Sequence, residues 1–368
     1  MSDFEKYCPT FARGFKWLNE KLQRNKIVNQ LLEKGDLDAI TKMGTPAIAV
    51  LIKGLKNPDR NIRWSAARVL GDIGDKKVVP ALIETLKDEE PGVVKDAAEA
   101  LGKIADASAV PALIEAWDGG HYSVEINISW ALREIGKPAV PQLIAALDHK
   151  YQKVRDNASL TLQKMKGDAV PALINALSRG GLRLRRNVVE VLKEIQDPSS
   201  VPSFIGLLSD KDSIVVLRAV QGLDNIGDKR AIWPLISILD HKNASVRASV
   251  CDALGKFKDP SAVPGLTRNL SDRSEEVVMY SAAIALLEIE IEHSGSVDPK
   301  AVREELVKFV ENVPHEVSGK TRKKVAEVYY GITETIGRGK QKIDMPGEIL
   351  PGKPTPPKKM FRRRVAYA

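Results

Sequence analysis

The stretch RWSAARVLGDIGD, residues 63–75, decides the fold, because its pattern returns along most of the chain. Counting from Leu70, leucine recurs at Leu101, Leu132, Leu162, Leu192, Leu223, Leu254 and Leu286, at intervals of 30–32 residues. Three residues after each leucine stands a large apolar side chain: Ile73, Ile104, Ile135, Met165, Ile195, Ile226, Phe257 and Ile289. Four residues before each stands Ala66, Ala97, Ile128, Ala158, Val188, Ala219, Val250 or Ala282. Offsets of three, four and seven place these side chains on one helical face.

A second series precedes the first. Pro80, Pro111, Pro141, Pro171, Pro202, Pro234 and Pro264 mostly open runs such as VPALIETL and VPALINAL. Proline suits the first turn of a helix, where an N–H has no partner to lose. Each unit therefore reads as a helix, a short loop with an aspartate (Asp88, Asp148, Asp240, Asp272), and a second helix. Gly and Asp, as in GDIGD and NIGDK, are expected to cap that second helix at its C-terminus. A lone helix pair cannot bury its apolar faces, whereas stacked pairs can.

The VPALI blocks and the blocks VVKDAAEALGKIAD and VRASVCDALGKFKD resemble HEAT-like repeats, in the short form of phycobilin lyase-type proteins. The resemblance implies an all-α, right-handed α-solenoid of about eight helix pairs over residues 44–292. Residues 1–43, with FKWLNEKLQRNKIVNQLLEK, are expected to form an N-terminal helical cap. Residues 293–337 are expected to form a C-terminal helical cap, and residues 338–368 a basic, Pro-rich disordered tail.

Bulk properties narrow the function classes. The chain has 368 residues, 43% hydrophobic, ample for a packed interior. Its net charge of +8 is uneven: residues 338–368 hold nine Lys/Arg against Asp344 and Glu348, which is +7, and leaves +1 for the rest. Cys8 and Cys251 suggest neither a disulfide framework nor a zinc site. No apolar run is long enough to span a membrane, and MSDFEKYCPTFARGF lacks the pattern of a signal peptide, so a cytoplasmic setting is expected.

In HEAT-like solenoids the second helices line the concave face. Helical geometry assigns offsets −8, −4, −3 and +3 to the core, and −6, −5, −2 and +2 to the opposite side. The −5 column places Asn127, Asn157 and Asn187 in consecutive repeats. The −2 column places Trp130 beside Leu160, with Ile126 nearby and Glu99 and Glu190 to either side. A tryptophan among aliphatics is a common anchor for a bound peptide, and an asparagine can bond both N–H and C=O of an extended backbone. This arrangement is similar to the asparagine and tryptophan groove of armadillo-type importins, although no full motif matches. The expected function is a non-catalytic scaffold that binds an extended peptide or protein segment there. Against it stands a purely architectural role for the asparagines, as partners of the adjacent inter-repeat loop. Trp117 and Cys251 fall in core columns. Arg63, Arg155, Arg185 and Arg247 share offset −7 and are expected to pair with loop acids such as Asp148 and Asp240.

Enzyme readings are disfavoured by the residues. Deoxyhypusine hydroxylases, which share the HEAT-like architecture, carry His-Glu pairs at offsets −6 and −5. Here those positions read Trp64-Ser65, Lys95-Asp96, Ile126-Asn127, Asp156-Asn157 and Arg186-Asn187, with no histidine. The single His315-Glu316 lies outside the repeats. No phosphate-binding glycine loop or Ser/Cys-His-Asp arrangement is present, and no cofactor is implied. Bilin lyase action is open by resemblance alone. The outward columns hold seven basic and nine acidic side chains, a poor trough for duplex DNA.

The tail offers another partner. Lys358, Lys359, Arg362, Arg363 and Arg364 are suited to RNA or DNA phosphates, to an acidic surface, or to return into the concave groove; a solvated terminus is the plain alternative.

Overall fold

The computed structural model describes residues 9–119, 122–270 and 276–293, and all the regular structure among them is helical. The chain divides into two compact units, residues 1–257 and 258–368. The first opens with α1 (Pro9–Lys34) and α2 (Leu37–Met43), which pack on each other and on the first repeat. Seven helix pairs follow. The first helices are α3 (Ile48–Gly54), α5 (Val79–Thr85), α7 (Val110–Glu115), α9 (Val140–Ala146), α11 (Val170–Arg179), α13 (Val201–Leu207) and α15 (Ile232–Ile236). The second helices are α4 (Arg60–Ile73), α6 (Pro91–Ile104), α8 (Tyr122–Ile135), α10 (Gln152–Met165), α12 (Leu182–Ile195), α14 (Ser213–Ile226) and α16 (Ala244–Phe257). Each second helix packs on the next, from α4 through to α16, which makes the first unit an α-solenoid. In the second unit, α17 (Val263–Leu270) packs against α18 (Glu276–Glu292), an eighth pair.

The repeat leucines, from Leu70 to Leu286, are all buried, as are their partners at −4. Trp117 and Cys251 are buried too. The core takes one column more than the periodicity suggests: offset −1, with Ala100, Ala131, Thr161, Val191 and Ala253, is also sealed.

The capping residues divide their work differently from the sequence expectation. The slot after each second helix, held by Gly74, Ala105, Gly136, Lys166, Gln196, Gly227 and Lys258, has positive φ, between 51° and 74°. Glycine fills it in three repeats and is dispensable in the others. The aspartates that follow are not C-caps. Asp75, Asp106, Asp197, Asp228 and Asp259 each accept a backbone N–H from two residues on, at 2.9–3.0 Å, and so open a short 3₁₀ turn leading into the next first helix. Pro80, Pro111, Pro141, Pro171 and Pro202 then occupy the first turn of that helix. In the seventh repeat the proline slot is taken by Trp233, with Pro234 displaced one residue, and α15 is only 5 residues long.

These caps make stability pH-dependent. Hydrogen bonds from Ser108, Ser199 and Arg230 hold the carboxyls of Asp106, Asp197 and Asp228 below their ordinary value of 3.8. A carboxylate depressed in the folded state stabilises it above the unfolded value and ceases to do so as pH falls through the folded one. The melting temperature is expected to hold down to about pH 4 and to decline as the pH falls further. Asp106→Asn combined with Asp197→Asn should flatten that decline in calorimetric scans; an unchanged slope would remove the caps as its source.

Candidate second-helix groove

The stack fixes which way each column points. Offset +1 faces the following helix: a Cβ built on Gly102 would lie 2.8 Å from the Ala131 Cα and 2.6 Å from the Trp130 ring. Offset −5 faces the preceding repeat and is half-buried or buried at every position, instead of open as the sequence geometry suggested. That leaves offsets −6, −2 and +2 as the outward rows.

The candidate residues separate accordingly. Ile126 on α8 and Leu160 on α10 are 52% and 53% exposed. Trp130 is half-buried, with its ring laid back across Gly102 of α6, so it covers the seam between α6 and α8. Neither its indole N–H nor the Asn127 side-chain amide has a hydrogen-bond partner among the described residues. Ile126, Asn127 and Trp130 thus lie on α8, and Leu160 on α10, which packs against it.

The other asparagines are engaged. Asn187 donates 2.7 Å to the carbonyl of Leu147, at the end of α9 in the preceding repeat, and Asn157 donates to Glu125 on α8 at 3.3 Å. Both act as repeat-to-repeat ties. The flanking acids are likewise paired. Glu99 meets Lys103 at 3.0 Å, and Lys103 in turn meets Asp72 at 2.7 Å. Glu190 meets Lys193 at 2.7 Å and Arg218 at 2.9 Å. Ile126 and Leu160, with two polar groups that no described residue bonds, therefore lie between Glu99 and Glu190, both already paired.

Sequence reasoning passed over Trp64, at offset −6 on α4. It is 36% exposed, and the Arg68 guanidinium stands 5.8 Å from its ring centroid. Asp96 lies buried beside it, and burial raises its carboxyl above the ordinary range despite nearby Lys95, Arg68 and the Trp64 N–H. The −6 column in which Trp64 precedes Lys95 and Ile126 was the available signal.

The arginine ladder is real but differently wired. Arg63 pairs with Asp88 and Arg185 with Asp210, each reaching the loop of the following repeat, while Arg155 and Arg247 donate to carbonyls of their own loops. Asp148 pairs instead with Arg183. His149 and His241 occupy loop positions where Nδ1 accepts a backbone N–H two residues on, the job done by Asp88 and Asp210 elsewhere. Among the described residues no three His, Cys, Asp or Glu side chains converge as a metal site, and no helix is long and apolar enough to cross a membrane. The tail cluster Lys358, Lys359, Arg362, Arg363 and Arg364, the helices expected over 298–337, and His315 lie outside the described residues.

Tandem helix pairs stacked through their second helices define a repeat scaffold of the α-solenoid class. Residues 48–133, 140–221, 170–240 and 207–287 match the family described as HEAT repeats, and the chain belongs to that family. Residues 126–149 also match a PBS lyase HEAT-like repeat. The chain is 32% identical over 104 residues to bilin biosynthesis protein PecE of Mastigocladus laminosus, covering 28% of this chain and 39% of that protein. It is 34% identical over 106 residues to deoxyhypusine hydroxylase of Drosophila pseudoobscura pseudoobscura, covering 28% and 33%. The chain thus spans about two fifths or less of the length of these curated relatives. Among solved structures it is similar to Kap121p bound to RanGTP, with a TM-score of 0.54 at 13% identity over 78% of this chain and 37% of that one. That likeness is one of fold.

Proposed function

We propose that this chain is a non-catalytic scaffold that holds an extended segment of another protein on the concave, second-helix face, seated on Ile126, Asn127, Trp130 and Leu160. Asn157, Asn187, Glu99 and Glu190 border the seat and hold its helices in register. The observation that carries the reading is the pair of half-exposed aliphatics, Ile126 and Leu160, with a tryptophan N–H and an asparagine amide that no described residue uses. Such groups favour a partner that brings an apolar side chain and backbone hydrogen-bonding groups together. Lys103 and Arg218 are already paired with acids, which leaves few uncompensated cations for a polyanion. The fold is compatible with such use, since Kap121p is recorded bound to Pho4p and to Ste12p.

The test uses a displayed peptide library selected against the full chain and against an Ile126→Asp, Leu160→Asp double variant. Both side chains are outward, so the variant should melt like the parent. Selected peptides should lose about thirtyfold or more in affinity, as expected when central anchors are removed. Enrichment of the same sequences by both proteins would sink the proposal. A bilin is the second occupant to try, because the PBS lyase-like match begins at Ile126. An absorbance change on mixing with the parent, absent with the double variant, would give the groove to a chromophore instead.

A further inference from the structure

The repeat spacing and the charge order along one row bear on the conformation of the bound segment, a deduction that rests on the groove reading above. Row −6 runs Trp64 on α4, Lys95 on α6, Ile126 on α8 and Asp156 on α10, and all four are exposed. Among the described residues Lys95 has no ion pair at contact distance, and Asp156 accepts only the neutral Gln152 amide, at 2.7 Å. The next member, Arg186, is already bonded to Asp212 at 2.6 and 3.0 Å, which closes the row.

Packed helices lie about 8–10 Å apart. The contacts that Gly71 and Gly102 make with Ala100 and Ala131 place α4, α6 and α8 in close approach. A β-strand returns a side chain to the same face every second residue, after about 7 Å, and falls out of step with such helices within two repeats. A polyproline II chain has three residues per turn and rises about 3.1 Å per residue, so every third side chain returns after about 9 Å. Its period matches the stack. Its backbone also makes no internal hydrogen bonds, which leaves its carbonyls open to the Trp130 indole N–H and the Asn127 amide.

We infer that the groove takes a polyproline II segment of a partner protein in which an acidic, an apolar and a basic side chain follow at i, i+3 and i+6, in either chain direction. The acid lies over Lys95, the apolar side chain between Ile126 and Leu160, and the base over Asp156. Proline suits the intervening positions, and a further proline or apolar residue three places beyond the acid meets the Trp64 ring, the kind of aromatic surface on which such segments dock.

The test is fluorescence polarisation of the full chain with labelled proline-rich peptides. One carries Asp, Leu and Lys spaced by two prolines; two others shorten or lengthen each spacer by one residue. The three-residue register should bind about fivefold tighter than either alternative, the scale of an exposed ion pair. Lys95→Glu should cost about fivefold, and a peptide with Lys in place of Asp should recover that loss. Equal affinity across the spacings, or no recovery, overturns the register. If binding still falls with Ile126→Asp and Leu160→Asp in that case, the groove itself stands. Binding that ignores those two changes, or no binding by any peptide, overturns both.

Discussion

Gly71→Ala is expected to destabilise the first unit by about 2 kcal/mol, although alanine is a better helix former than glycine by about 1 kcal/mol. The sign reverses because of what the added carbon would meet. A Cβ on Gly71 of α4 would sit 2.6 Å from the Cα and 2.7 Å from the Cβ of Ala100 on α6. The obstacle is backbone, which cannot rotate away, so two close-packed helices would have to separate along their length. Overpacking of that kind costs about 1–3 kcal/mol and outweighs the propensity gain. Gly206→Ala on α13 is the control, since a Cβ there meets nothing within 4 Å. It should stabilise by about 0.5 kcal/mol from propensity alone. Urea midpoints give both signs, and hydrogen exchange on α4 and α6 shows whether the loss is local, as expected when each repeat contacts only its neighbours. A Gly71→Ala protein as stable as its parent would show that the helices do not pack this closely.

The glycine pair also explains why part of the groove was hidden in the sequence. The leucine period and the proline series locate the helices because they follow from burial and from helix starts, which are local rules. The direction of each column depends on how neighbouring helices approach, and that is set by small residues at Gly71, Gly102, Ala100 and Ala131 acting across repeats. Offset −5 looked outward on a helical wheel, yet it faces the preceding repeat, so Asn187 ties to Leu147 and Asn157 to Glu125. Asn127 has the same offset, and only the contacts reveal that no described residue bonds its amide. Likewise, Trp130 was legible as an outward aromatic, but not as a lid over Gly102. The aspartates after each second helix were legible as caps, and misread only in which helix they serve, because Gly-Asp fits both the end of one element and the start of the next.

Asp88→Ala is expected to cost about 3 kcal/mol, more than removal of its cationic partner. The Arg63 side chain is about one-tenth exposed and joins two repeats. Its Nε and Nη2 donate to both oxygens of Asp88, at 2.7 and 2.9 Å, while Nη1 donates to the carbonyls of Asn57 and Pro58 in its own loop. The hydrogen bond to Asp88 raises the guanidinium above its already high ordinary value, so the group cannot escape burial by losing its proton. Without Asp88 the cation stays buried and uncompensated, and the Glu90 N–H at the entry to α6 loses its acceptor as well. Arg63→Leu removes the charge together with its desolvation cost and fills the site with an apolar side chain, and the Asp88 carboxylate, itself about one-tenth exposed, keeps the Glu90 N–H as a donor, so its penalty should be smaller. Asp148 and Arg183 offer the contrast: the pair is about half exposed on both sides, and Asp148→Ala should stay within about 0.5 kcal/mol. Equilibrium denaturation of the three variants tests the order. Equal losses for Asp88→Ala and Asp148→Ala would mean that burial is not what distinguishes them. The expected inequality would instead locate a clasp between α4 and α6, the two helices that carry Trp64 and Lys95 toward the groove.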